Sequence, residues 1–186
     1  MNRYLDVALE YNGNSLNELT SLLFNVKQNL SAEVAYSLLQ KIPQSQRASG
    51  SISYAEASIL LDLNRYPEVF GILQRIWEAD GMTPEFSQEA LHAFLSEFVS
   101  KGLDLAPFLP IYKEFLAAYP TNFDAHLDLQ SLLYMLDKPS ERQAQLVRMT
   151  ELFPTGHPEL WNGLFQDLLS RGAYDELYKY FPQALK

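Results

Sequence analysis

Three histidines are the residues with the widest chemical range in this chain, and His92, His126 and His157 stand 34 and 31 residues apart. A metal site such as H-E-x-x-H needs two ligands one helical turn apart, and this chain has no such pair. Carboxylate pairs that could serve acid and base roles occur at Asp124/Asp128 and Asp175/Glu176. The first pair lies near an expected helix N-terminus, where negative charge complements the helix dipole, so a structural use is the better reading. Ser49-Gly50-Ser51 lacks the flanking glycine and strand of a nucleophile elbow. No glycine-rich phosphate loop is present. Cysteine is absent, which excludes disulfides, thiol catalysis and thiolate metal sites together. These residues point to no enzyme and to no cofactor or metal.

Charge narrows the partners. The 186 residues carry 23 acidic and 14 basic side chains, a formal charge of −9. Nucleic acid and anionic membranes recruit proteins through Lys and Arg, so neither is an expected partner. Eleven Tyr and eleven Phe do not make a base-stacking surface without interleaved cations, and Arg142 and Arg148 are too few to supply them. No uninterrupted run of about 18 apolar residues exists to span a bilayer. Acidic residues at Asp6 and Glu10 interrupt any secretory signal, so a cytoplasmic location is expected.

The elements that would position any site read as helices throughout. Apolar residues recur three and four apart in Leu16/Leu19/Leu22/Leu23/Val26, then in Ala35/Leu38/Leu39/Ile42, then in Val69/Phe70/Leu73/Ile76. Thr83-Pro84 reads as an N-cap followed by proline in the first turn, and Lys101-Gly102 as a C-terminus. Gln44 to Ser51 is polar and turn-rich, and the spacing predicts a loop there. No run alternates with period two. The expectation is an all-α chain of about ten helices forming a single domain over 1–186.

The helices fall into consecutive pairs near 14–43, 51–80, 84–120, 121–154 and 156–184. Tyr119-Pro120-Thr121 and Phe153-Pro154-Thr155 recur 34 residues apart. The last pair gives Trp161-x2-Leu164-Phe165-x2-Leu168 followed by Gly172-x-Tyr174-x2-Leu177-x3-Phe181, and Asn64-x-Tyr66-x2-Val69 repeats the second half of that rhythm. This pattern resembles the tetratricopeptide repeat (TPR) over about 50–184, with 1–43 matching by helix pairing and a possible cap. Phe165 and Leu177 depart from it, standing where the family has small residues, and Leu103-Asp104-Leu105-Ala106-Pro107 adds length to the middle pair.

The resemblance implies a right-handed superhelix of stacked antiparallel helix pairs, a TPR-like α-solenoid. It implies a non-catalytic protein–protein interaction module, adaptor or chaperone-like, that holds a protein or peptide segment in a concave groove lined by the first helices. Through the motif register, the expected partner-binding residues are Tyr54, Ser58, Leu61 and Asp62, then His92, Ser96 and Val99, then Asp128, Leu132 and Met135, and finally Asn162, Gln166 and Leu169. Residues 48–100 hold eight carboxylates and only Arg65 and Arg75 as cations, which would steer a basic segment there. The same surface also suits an acidic inhibitor or immunity-type protein that masks a basic surface. An N-terminal amphipathic segment, Tyr4, Leu5, Ala8 and Leu9, could fill the groove or make a homodimer contact.

Overall fold

The computed structural model describes Val7, residues 15–155 and residues 157–184. The N-terminal groove-filling segment lies outside the described residues. Among these, eleven α-helices and one short 3-10 helix occur and no strand does. The described residues form an all-α fold of consecutive helices packed on their neighbours. It divides into two compact units, 1–102 and 103–186. The division falls at the start of the five-residue insertion, between the two helices of the 84–120 pair. Asp104 Oδ1 accepts the Ala106 N–H there at 2.9 Å, a side-chain turn that interrupts helical bonding.

The first unit contains α1 (Leu16–Asn29), α2 (Ala32–Leu39), α3 (Gln44–Arg47), α4 (Gly50–Asp62), α5 (Tyr66–Leu73), a 3-10 turn (Ile76–Glu78) and α6 (Pro84–Ser100). Hydroxyl caps open three of them: Ser15, Ser31 and Thr83 accept from the N–H of Glu18, Val34 and Phe86. Helix α1 packs on α2 and α4, and α4 packs on α5. Their shared core is Leu19, Leu23, Leu38, Leu39, Ile52 and Ile59, all essentially without solvent contact. Aromatic contacts attach α6 to α4 and α5: Tyr54 meets Phe94 edge-on at 5.4 Å, and Phe98 meets Phe70 at a tilt at 5.1 Å.

Residues 44–51 are not the loop that their polarity suggests. Pro43, with φ at −53°, offers its carbonyl to the N–H groups of both Gln46 and Arg47, which closes the short helix α3. Helix α4 then begins at Gly50, whose N–H donates to Asp80 O at 2.8 Å. Proline supplied the fixed φ that the loop reading overlooked.

The second unit contains α7 (Phe108–Ala118), α8 (Phe123–Met135), α9 (Pro139–Leu152), α10 (Pro158–Ser170) and α11 (Tyr174–Ala184). Each helix packs chiefly on its neighbours in sequence, the connectivity of a repeat array. Lys113 of α7 and Lys138 both pair with Glu141 of α9, at 2.8 and 2.7 Å. Phe165 and Leu177, the bulky departures from the motif, join the cluster of Leu146, Trp161, Leu164 and Leu168 that binds α9, α10 and α11.

One device closes three of the hairpins. After α4, α8 and α10 the chain turns through a left-handed residue: Asn64 at φ 58°, Asp137 at 52° and Gly172 at 68°. The N–H of each bonds the carbonyl three residues back, to Leu61, Tyr134 and Leu169 at 3.0 to 3.1 Å. The following N–H, on Arg65, Lys138 and Ala173, reaches five residues back at 2.9 Å in every case. This is the Schellman pattern, and it satisfies the last carbonyls of each helix. Asn and Asp tolerate the conformation because their short polar side chains bond locally. The most uniform part of the repeat is therefore its turn.

Candidate functional site

In the first unit, one face of α4 projects Tyr54, Ser58, Leu61 and Asp62 at helical spacing into a cavity of about 210 Å³. Helix α1 supplies Lys27 to its wall, and α6 supplies Ala93, Phe94 and Glu97. All three are first helices of successive pairs. Four residues expected from the sequence are thus brought together.

The polar end of this cavity is a charge network. Lys27 Nζ pairs with Asp62 Oδ2 at 2.8 Å and donates to Ser58 O at 3.1 Å and Ser58 Oγ at 2.6 Å. These contacts use all three ammonium donors. Lys101 Nζ lies 3.6 Å from Asp62 Oδ1 and 3.3 Å from Glu97 Oε1. Burial works to lower the Lys101 pKa, but the hydrogen bond to Glu97 and the charge of Asp62 outweigh it and raise the group overall. The aromatic end is Tyr54, half-buried, with Phe24, Phe86 and Phe94 around its ring at 6.2, 6.3 and 5.4 Å. Two cations and two carboxylates make this cavity electrically balanced, although the surrounding segment is acidic.

His92, Ser96 and Val99 are exposed on α6 but do not line this cavity. The lining positions of that helix are Ala93 and Glu97. One residue corresponds to about 100° of rotation, so the face turned toward α1 and α4 is the adjacent one.

In the second unit the expected residues separate. Leu132 is 0% exposed and belongs to the core, where no partner reaches it. Asp128 is 8% exposed and accepts a hydrogen bond from the Tyr112 hydroxyl at 3.1 Å. Burial first, and the Asp128 charge second, push the Tyr112 phenol far above its usual range, so it stays a donor. Met135 does line a cavity, of about 540 Å³, with Leu127, Ser131 and Tyr134 of the same helix. Arg142 of α9 stacks over Tyr134 at 5.2 Å. Asn162, Gln166 and Leu169 are exposed on α10, on the side away from buried Leu164 and Leu168.

The three histidines differ in surroundings. His126 is buried, and its Nε2 meets Pro120 O at 2.8 Å while its Nδ1 meets Gln145 Nε2 at 2.5 Å. A carbonyl only accepts and an amide nitrogen only donates, so the ring is the neutral tautomer with its proton on Nε2. Burial lowers its pKa, and the bond to Pro120 only partly opposes this. His157 stacks on Phe123 at 3.8 Å and pairs with Glu159 at 3.0 Å. His92 lies on α6 in the other unit. Among the described residues no three of His, Asp or Glu assemble into a metal-holding group. Sequence reasoning missed this polar core because Tyr112 and Gln145 carry no motif. The repeated Tyr119-Pro120-Thr121 marked only one partner.

Among the described residues no helix is long and apolar enough to cross a membrane. No protein-family model matches the chain, and no curated protein matches it. Among solved structures it is similar to MamA of AMB-1, with 13% identity over 91% of this chain and 89% of that one, at a TM-score of 0.49. It is also similar to YrrB, described as a TPR protein with an unusual peptide-binding site, with 14% identity over 97% and 90% of the two chains and a TM-score of 0.49. PilF of Pseudomonas aeruginosa is similar at 12% identity over 94% and 77%, with a TM-score of 0.47.

Proposed function

We propose that this chain is a non-catalytic protein-interaction module, adaptor or chaperone-like, whose first unit holds a segment of a partner protein against α1, α4 and α6. The observation that carries this reading is the convergence of Tyr54, Ser58, Leu61 and Asp62 with Lys27 and Glu97 around one cavity. An aromatic end and a charged end, set about two turns apart on α4, suit an extended or helical segment that carries one apolar anchor and one polar one. Lys27 and Lys101 compensate Asp62 and Glu97, so specificity there comes from placement of donors and acceptors more than from net charge.

The test is an array of partner-like peptides of mixed charge, probed with the native chain and with Ser58→Trp, which fills the cavity. Peptides that bind the native chain should lose about tenfold or more in affinity on the variant. If every bound peptide tolerates Ser58→Trp, the groove reading fails.

A second reading rests on a separate observation: Glu78, Asp80, Glu85 and Glu89 are all exposed on the same unit. A protein that masks a basic surface would use them, and would lose affinity steeply between low and high salt. Binding that ignores salt and follows Ser58 separates the first reading from this one.

A further inference from the structure

Helix α4 lines a second cavity with another of its faces. Ser53 and Glu56 point about 100° and 160° around the helix from Tyr54, on the same side of it, into a different cavity of about 450 Å³. Its other walls are α3, with Arg47, and the end of α5 with the 3-10 turn, which bring Ile72, Arg75 and Glu78.

The charges in it are incompletely answered. Arg47 is held in place through its carbonyl, which accepts from Ser53 Oγ at 3.2 Å, yet its Nε is buried and donates to no acceptor among the described residues. Arg75 spends Nε on Gly71 O at 3.4 Å, which leaves its terminal nitrogens for the cavity. Glu56 is half-buried, and burial raises its carboxyl above the usual range, opposed by Arg47. Ile72 and the buried Ile76 give the cavity an apolar wall beside these groups.

A plain anion placed here would meet Glu56 and Glu78, and a plain cation would meet Arg47 and Arg75. A dianionic phosphate is worse than a carboxylate for the same reason. The species that answers both signs carries a carboxylate and an ammonium close together, with an aliphatic group for the isoleucines. We propose that this cavity binds a small zwitterion, a free aliphatic amino acid, with its carboxylate on Arg47 and Arg75 and its ammonium toward Glu56. The planar guanidinium matches a carboxylate through paired hydrogen bonds. This site does not depend on the groove described above.

The experiment uses the full chain, labelled with nitrogen-15, titrated near neutral pH with three probes of one shape. They are L-leucine, leucinamide (no carboxylate) and 4-methylpentanoate (no ammonium). Leucine should give saturable amide shifts at Arg47, Ser53, Arg75 and Ala79, and each analogue should bind about tenfold more weakly or worse. Arg75→Gln, at an exposed side chain, should weaken leucine by a similar factor while spectra of α1 and α6 stay unchanged. No saturable shift up to about 20 mM leucine would overturn the assignment. So would equal binding of leucinamide, which shows that the carboxylate is not read, or equal binding of 4-methylpentanoate, which shows that the ammonium is not.

Discussion

Substituting Lys27 by Met should cost the first unit about 2 kcal/mol, a figure set between two limits. An exposed ion pair contributes about 0.2–1 kcal/mol, whereas breaking a buried one costs about 3–5. Lys27 is 17% exposed and Asp62 36%, so the pair sits between those cases. Asp62 also keeps Lys101 at 3.6 Å, which softens the loss. The two bonds to Ser58 vanish as well, but they belong to Lys27 alone. In a cycle with Asp62→Asn, the coupling between the two positions should therefore be smaller than the single-site cost, about 1 kcal/mol. The assay is urea unfolding by fluorescence in a Trp161→Phe background. The chain has two tryptophans, and Trp77, in the first unit, is then the only one left to excite selectively. A loss of 2 kcal/mol moves the midpoint by about 1 M urea. A coupling below about 0.3 kcal/mol would show that the 2.8 Å pair is a surface contact of no consequence, and the account of a charge-balanced cavity would fall with it.

Tyr112→Phe should destabilise the second unit by about 1–3 kcal/mol, since it deletes a buried bond to a carboxylate; unfolding followed at Trp161 in a Trp77→Phe background reads it. His126 has a lowered pKa, so its contribution to stability is complete above the unfolded value of about 6.5 and declines as pH falls below it. The slope there should approach about 1.4 kcal/mol per pH unit for one proton, and His126→Gln should flatten it. Gly172→Ala, at φ 68°, should cost about 1–2 kcal/mol in thermal unfolding, whereas Gly71→Ala, with open space at its Cβ, should not destabilise.

The helical class was legible because apolar spacing is a local property, and so were the caps at Thr83 and Lys101-Gly102. The hairpin turns were half legible: Gly172 announces a left-handed residue and Asn64 suggests one. Asp137 gives no such signal, since aspartate is common in every setting. Faces were harder. On α4 the expected residues share a cavity, but on α6 the lining falls one residue away from His92 and Ser96. A helix's own sequence fixes which residues lie together, while its neighbours fix which side they present. Buried polar groups were the least legible. Asp128 read as a groove residue because Tyr112, which donates to it, stands 16 residues away, and Gln145, the partner of His126, stands 19 residues away.

The matched turns after α4, α8 and α10 bear on how the polypeptide reaches its native state. Each is stitched by bonds spanning only three to five residues, so a hairpin closes without waiting for any distant segment. Contacts this short favour rapid folding and allow it to nucleate at several places along the chain. The three turns thus offer three separate starting points, from which order can spread outward through neighbours.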